Sequence, residues 1–280
     1  MAGWLACIVV MTVAGREAQR QLSVFQVMEL RSLIGICLLY PLIRRDGGFR
    51  AMKTANIRRQ ILRNTVHYGA QCCWLSALTM IPLAQVISIE FTMPIWTAIL
   101  AVAFLGERMG TWKTTAVVLG LVGVVVIVRP FSGTVSTGQV IALVAAVGYA
   151  ISVILVKSLT RTDRVLVIMF WMVVIQSTLG LVPALALWQW PSAPIWGWLL
   201  VIGFCGTYSH WCLTQALLHA DATIVVPMDF LRVPLAALTG WLVYAERVDL
   251  LTAAGAALIL GGNLLNLKGA SQPAPKRNPS

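Results

Sequence analysis

Residues Gln71 to Gly123 recur in outline 139 positions later as His210 to Gly262, and this internal repeat restricts the available folds more than any other feature of the chain. Cys73 aligns with Cys212, Ala77-Leu78 with Ala216-Leu217, Phe91 with Phe230, Glu107-Arg108 with Glu246-Arg247 and Gly123 with Gly262. Long apolar runs surround these positions, so the repeated unit reads as a membrane unit. If that unit holds an odd number of spans, its second copy lies inverted in the bilayer. Secondary transporters are built this way, with substrate held between the halves near the midplane.

Composition agrees with a membrane fold. Of 280 residues, 59% are hydrophobic and only 11% charged, outside the range of a soluble domain on both counts. The formal charge of +11 gathers in one set of loops, which reads as membrane orientation rather than as a nucleic-acid footprint, so no nucleic-acid partner is expected. The six cysteines lie within apolar runs and show no paired ligand spacing. Neither disulfides, a metal nor a cofactor is expected from them.

A bilayer core of about 30 Å needs about 20 helical residues. Ten apolar runs between polar breaks approach that length: Ala2 to Gly15, Glu29 to Ile43, Ile61 to Ile81, Ala84 to Gly106, Trp112 to Val128, Gln139 to Leu159, Leu166 to Leu187, Trp196 to Leu218, Ala222 to Ala245 and Leu250 to Leu267. The fold class predicted is an all-α polytopic membrane protein, with ten transmembrane helices arranged as two inverted five-helix repeats. The repeats are placed at 1–130 and 138–268, followed by a polar, proline-bearing tail at 269–280 that is expected to be disordered. Starting the chain inside puts 15 of the 21 Lys and Arg residues, among them Arg44, Arg45, Arg58, Arg59, Arg63, Arg161 and Arg164, on the cytoplasmic side, as the positive-inside bias requires of cytoplasmic termini. The first run would reach only about 21 Å, so the natural N-terminus is expected to extend upstream. Trp188, Trp190, Trp196 and Trp198 read as interfacial anchors.

Ionisable residues within spans are costly and face a cavity or a partner. Glu90 and Asp229 occupy the same position in the two halves under the repeat offset. Pro94 removes the hydrogen bond that the Glu90 carbonyl would accept, and Pro234 and Pro227 do the same for Phe230 and Thr223. Helix breaks at matching positions point to a binding site at the repeat interface. Asp229 and Arg232 share a helical face and either neutralise each other or offer one end to a zwitterionic ligand; Arg232 would receive a carboxylate and Glu90 an amine or a proton. His67 and Gln71 share a face of the third span, and Thr207, His210 and Thr214 a face of the eighth, as cavity-wall hydrogen bonders or as packing contacts. Trp96, Tyr149 and Trp211 are able to stack on a planar ligand, though packing explains them equally. Glu29 and Arg31, near the start of the second span, read as structural with a gating role. Gly106, Gly110, Gly120, Gly123, Gly261 and Gly262 allow close helix contact within the chain or in a homodimer.

The stretches PLAQVISIEFTMPIWTAILAVAFLGERM from Pro82 and DATIVVPMDFLRVPLAALTGWLVYAERV from Asp221, each an apolar span closing on a Glu-Arg pair and followed by a glycine-bearing span, resemble the EamA family of the drug/metabolite transporter superfamily. The likeness covers nearly the whole chain and departs from the family at the short first span. It implies a bacterial inner-membrane carrier of small metabolites, often amino acids or related compounds, working by alternating access. The substrate-binding residues expected are therefore Glu90, Asp229, Arg232, His67, Gln71, His210, Tyr149 and Trp96. The partners expected are a small-molecule substrate, a coupling proton, membrane lipids and a second copy of the chain. Efflux of an amino-acid-like or other amphiphilic compound is the leading expectation, and uptake of a nucleoside-containing or flavin compound the alternative. No His-Glu-x-x-His, paired acidic metal motif or nucleophile–base pair occurs, so no enzyme is expected.

Overall fold

The structure, a computed structural model, describes residues 2–93, 95–97, 99–100, 111–128, 135–219, 232–245 and 249–270. Among them are ten α-helices and no strand: α1 (Ala2–Ala18), α2 (Val24–Arg45), α3 (Ile57–Met80), α4 (Leu83–Glu90), α5 (Thr111–Val128), α6 (Thr137–Leu159), α7 (Val165–Ala186), α8 (Ala193–His219), α9 (Arg232–Tyr244) and α10 (Leu250–Ala270). A single 3₁₀ turn, Phe49–Met52, lies between α2 and α3. Of the described helices, α2, α6 and α7 are each long and apolar enough to cross a membrane, and shorter apolar stretches occupy Val117–Ile127 and Leu250–Gly262.

Local sequence sets several boundaries. The Ser23 side chain accepts the Gln26 backbone N–H at 3.3 Å and starts α2 at Val24, five residues before the boundary that hydropathy suggested. Ser136 and Gln139 form a reciprocal capping box that starts α6, satisfying two N–H groups that an uncapped helix would leave exposed. The expected break beside Glu90 is present: α4 ends at Glu90, Phe91 and Thr92 form a turn, and helix resumes at Met93. Through the break the ladder tightens to a spacing of three, Thr92 N to Ile89 O at 3.0 Å and Ile95 N to Thr92 O at 2.9 Å. Pro234 lies in α9, and Phe230, whose carbonyl it would free, lies outside the described residues. Asp229 and Pro227 also lie outside them, as do both Glu-Arg pairs and 271–280.

Helix pairing follows the repeat. α3 packs on α6 and α8 on α1; α2 packs on α8 and α7 on α3; α2–α7, α4–α9 and α5–α10 also pair. Advancing every helix by five positions converts each pairing into another or into itself. Two five-helix units related by a pseudo-twofold axis pair in this way. Their outer surface is apolar, with Val182, Leu185, Leu200, Trp241 and Leu242 each more than half exposed, whereas polar side chains concentrate inside. This inside-out solvation suits lipid rather than water.

The α5–α10 contact depends on two glycines. A Cβ on Gly123 would come within 2.7 Å of the Gly255 carbonyl oxygen, and one on Gly255 within 2.8 Å of the Gly123 carbonyl oxygen, so the backbones touch without side chains between them. Gly123→Val is expected to cost about 1–3 kcal/mol by overpacking, read as a lower thermal midpoint in detergent. An unchanged midpoint would show that the two helices can separate freely.

Candidate substrate site

One face of α3 carries Gln60, Asn64, His67, Gln71 and Trp74, all buried, at alternating steps of four and three that keep them in line along a helix. Such a polar stripe is tolerated at membrane depth only where neighbouring helices cover it. Helices α2, α6, α7 and α8 cover it here and contribute its partners.

Arg31 of α2 is the centre of the group. Its Nη1 donates to Gln71 Oε1 at 2.9 Å and to Gln176 Oε1 of α7 at 3.4 Å. Its Nε lies where a Cβ on Gly206 would approach within 2.5 Å, so the absence of a side chain on α8 makes room for the guanidinium. His67 Nδ1 sits 3.2 Å from Ser152 Oγ of α6, with the donor set by the imidazole tautomer. The His67 ring meets the His210 ring of α8 edge-on at 4.9 Å and the Tyr149 ring of α6 at 5.5 Å. One turn further along the same α3 face, Trp74 donates its indole N–H to Glu90 Oε2 at 2.8 Å, joining α4 to the stripe.

His67, Gln71, His210 and Tyr149 are therefore brought together from three helices, and Glu90 adjoins them through Trp74. Trp96 instead donates to Thr92 Oγ1 at 3.0 Å, a contact within four residues of itself, and Thr214 bonds the His210 carbonyl at 2.7 Å. Asp229 and the Arg232 side chain lie outside the described residues. Trp211 packs with Leu39, Ile43 and Met52 and lines a recess of about 560 Å³ beside Asp46, Asp163 and Arg164.

Arg31, Gln176, Ser152 and Arg63 belong to this buried polar group but were not among the site residues expected from the sequence. The Ser23 cap places Arg31 seven residues into α2, about 10 Å along the axis, and buries it; starting the span at Glu29 had left it near the interface. Glu29 also turns inward, accepting from Ser177 Oγ at 2.5 Å. Arg63 reads in sequence as one more cation of a basic loop, but α3 begins at Ile57 and buries it with Asn64, whose Oδ1 accepts from Arg63 Nη1 at 2.6 Å. The available cue was the helical spacing from Gln60 to Gln71, which extends polar character well past the loop.

Above and below this group the two halves are tied by loop contacts. On the face rich in arginine, Arg164 meets Asp46 at 2.9 Å and donates to the Ala51 carbonyl at 3.2 Å. Asp163 Oδ2 there accepts from Thr54 at 2.7 Å and Gln60 at 2.8 Å, and Asn56 donates to Thr162 at 3.0 Å. On the other face, Gln21 donates to the Trp190 carbonyl at 3.0 Å and accepts from Ser192 Oγ at 2.9 Å, while Gln26 and Gln189 bond reciprocally. The α2–α3 loop on the α6–α7 loop, and the α7–α8 loop on the α1–α2 loop, are the same contact under the pseudo-twofold relation.

Residues 2–129 and 136–268 each match the EamA-like transporter family. The chain belongs to that family. It is a multi-pass membrane transporter of small metabolites and not an enzyme. It is 30% identical over 238 residues to a riboflavin transporter of Brucella anthropi, covering 83% of this chain and 84% of that one. It is 25% identical to an S-adenosylmethionine uptake transporter of Rickettsia prowazekii, covering 87% and 83%. It is 30% identical over 259 residues to a pseudopaline exporter of Pseudomonas aeruginosa, covering 90% and 88%. A solved crystal structure 16% identical aligns with a TM-score of 0.69 over 96% of this chain and 97% of its own, which shows the same fold.

A methyl group at Gly206 should displace the transporter's Arg31 guanidinium, whereas Gly197, also in α8, has nothing within 4 Å of its would-be Cβ. Gly206→Ala is expected to lose about 1–3 kcal/mol of stability and most transport in proteoliposomes, with Gly197→Ala unaffected in both. Equal behaviour of the two variants would remove Arg31 from the site.

Proposed function

We propose that this transporter carries a small amphiphilic metabolite by alternating access, with the substrate held beside the Arg31–Gln71–His67–His210 group and net movement outward. The observation that carries the reading is the pair of pseudo-equivalent loop latches, one on each face, closed at once over a buried polar group. Releasing one latch while keeping the other opens the group to one side only, and the pseudo-twofold repeat makes the two states near equivalents by rotation. Glu90, at the helix break and bonded to Trp74, takes the role of proton or amine site, Asp229 that of its counterpart in the second half, and Arg232 that of a carboxylate receiver. The arginine-rich face is assigned to the cytoplasm of the inner membrane on the positive-inside bias, with both termini there. Outward movement is supported by the pseudopaline exporter, whose match covers the largest share of this chain among the three relatives named above.

A second reading, uptake of a flavin or nucleoside-containing compound, is favoured by the His67–Tyr149–His210 ring cluster, which could face a planar ligand. Counterflow in proteoliposomes separates the readings: preloaded amino-acid-like compounds or preloaded riboflavin and nucleosides should accelerate entry of their own labelled species. Failure of every member of both classes would overturn transport of these substrates.

Two expectations test the mechanism. Asp163→Ala removes the acceptor of two latch bonds, each worth about 1 kcal/mol net. Reactivity of a cysteine introduced at Gln215 toward a membrane-impermeant maleimide, added on the arginine-rich side, is then expected to rise about tenfold. No rise would mean that these bonds do not close that face. Glu90→Gln is expected to flatten the pH dependence of transport while retaining the Trp74 contact; an unaltered profile would take the proton away from Glu90.

A further inference from the structure

Arg31 and Arg63 are each 4% exposed and His67 is 5% exposed, so bulk water does not compensate their polarity. Among the described residues, the hydrogen-bond acceptors that reach the two guanidinium groups are neutral amides: Gln71 and Gln176 for Arg31, Asn64 for Arg63. Among the described residues neither arginine has a carboxylate within ion-pair distance. The Nε of Arg31, the Nε of Arg63 and the Nε2 of His67 are all buried without a hydrogen-bond partner. The two guanidinium groups bond the same helix on either side of His67, through Gln71 and Asn64 of α3.

A buried cation without a counter-charge is expensive, by several kcal/mol even after relaxation, and an unmade hydrogen bond adds to that cost. Nearby protein groups could have met it cheaply, since Gln71 and Gln176 differ from glutamate only at the terminal group. The site instead surrounds two forks with neutral acceptors, leaving charge and donors for something that arrives from outside. Guanidinium edges match the planar or tetrahedral oxygens of carboxylate and phosphoryl groups, and accept no cation. The adjoining His67, His210 and Tyr149 rings supply a flat, less polar wall beside the charge.

From this geometry we infer that the transported metabolite carries an oxyanion, a carboxylate or a phosphoryl group, which docks against the free edges of Arg31 and Arg63 with His67 as a further hydrogen-bonding group. The inference rests on the proposal that this group is the substrate site, and it moves the anion-binding role from Arg232 to two residues of the first half. Gly206 then becomes a specificity determinant, because its lack of a side chain keeps the Arg31 fork in place.

The test is thermal stabilisation of the purified full-length protein by succinate and glutamate as carboxylates, glycerol 3-phosphate and inorganic phosphate as phosphoryl anions, and uridine and putrescine as uncharged and cationic controls, followed by counterflow. At least one anion should raise the midpoint, and the carboxylate and phosphate arms identify the source of the oxyanion. Arg31→Gln and Arg63→Gln should each weaken that anion's apparent affinity about tenfold or more, the size expected for losing a charged hydrogen bond. Because either variant could fold poorly, Gln71→Glu is the companion: it supplies an internal counter-charge, so its ligand-free midpoint should hold or rise while the anion response disappears. Stabilisation by the controls alone, no response to any anion, or an anion response that survives in Gln71→Glu would overturn the inference. An anion that binds as predicted but fails in counterflow would sink the transport reading and leave the binding inference standing; robust counterflow of an uncharged substrate would do the reverse.

Discussion

Everything in this structure is arranged around the cost of keeping charge and amide groups at membrane depth. The α3 face from Gln60 to Trp74 is too polar to meet lipid, so α2, α6, α7 and α8 must enclose it, and each contributes a partner: Arg31, Ser152 with Tyr149, Gln176 and His210. Lipid rewards the opposite arrangement outside, where Leu, Val and Trp side chains are exposed. The two requirements together choose which face of each helix points inward, and they leave little freedom in rotating any of the five helices about its axis.

The contacts that tie the two halves over this group are short polar bonds between loops, where water competes for every bond, rather than between the apolar helix faces. An Asp163 accepting from Thr54 and Gln60, or a Gln21 held by Ser192 and Trp190, can exchange its partners for water at small net cost. The core packing under Ile87, Ile89 and Leu78 has no such exchange available. The repeat supplies two of these contacts, one on each face.

Much of the architecture was legible in the sequence because the bilayer imposes a length and a polarity that can be counted. Ten apolar runs gave ten helices among the described residues, and the 139-residue offset foreshadowed pairings such as α3 on α6 with α8 on α1. The helix break at Glu90 could be read from Pro94 alone, since a missing donor acts locally. His67 and Gln71 were visible as a shared face for the same reason. Arg31 and Arg63 were misread because hydropathy blurs a helix start: a polar N-terminal turn such as Ser23 to Gln26, or the run Ile57 to Asn64, resembles loop until its caps and burial are known.

What the sequence determined by itself was the class of solvent, the number and order of spans, the repeat and the local break, all of which follow from composition and near-neighbour chemistry. Tertiary structure alone decided which polar residues meet. His67 and His210 are separated by more of the chain than a helix face can relate, and Arg31 reaches Gln176 across 145 positions. Their meeting depends on how two inverted units are rotated and pressed together, down to the missing side chain of Gly206 that admits a guanidinium. That is a property of packing in three dimensions, where every helix constrains the others at once, and no pattern along the chain records it.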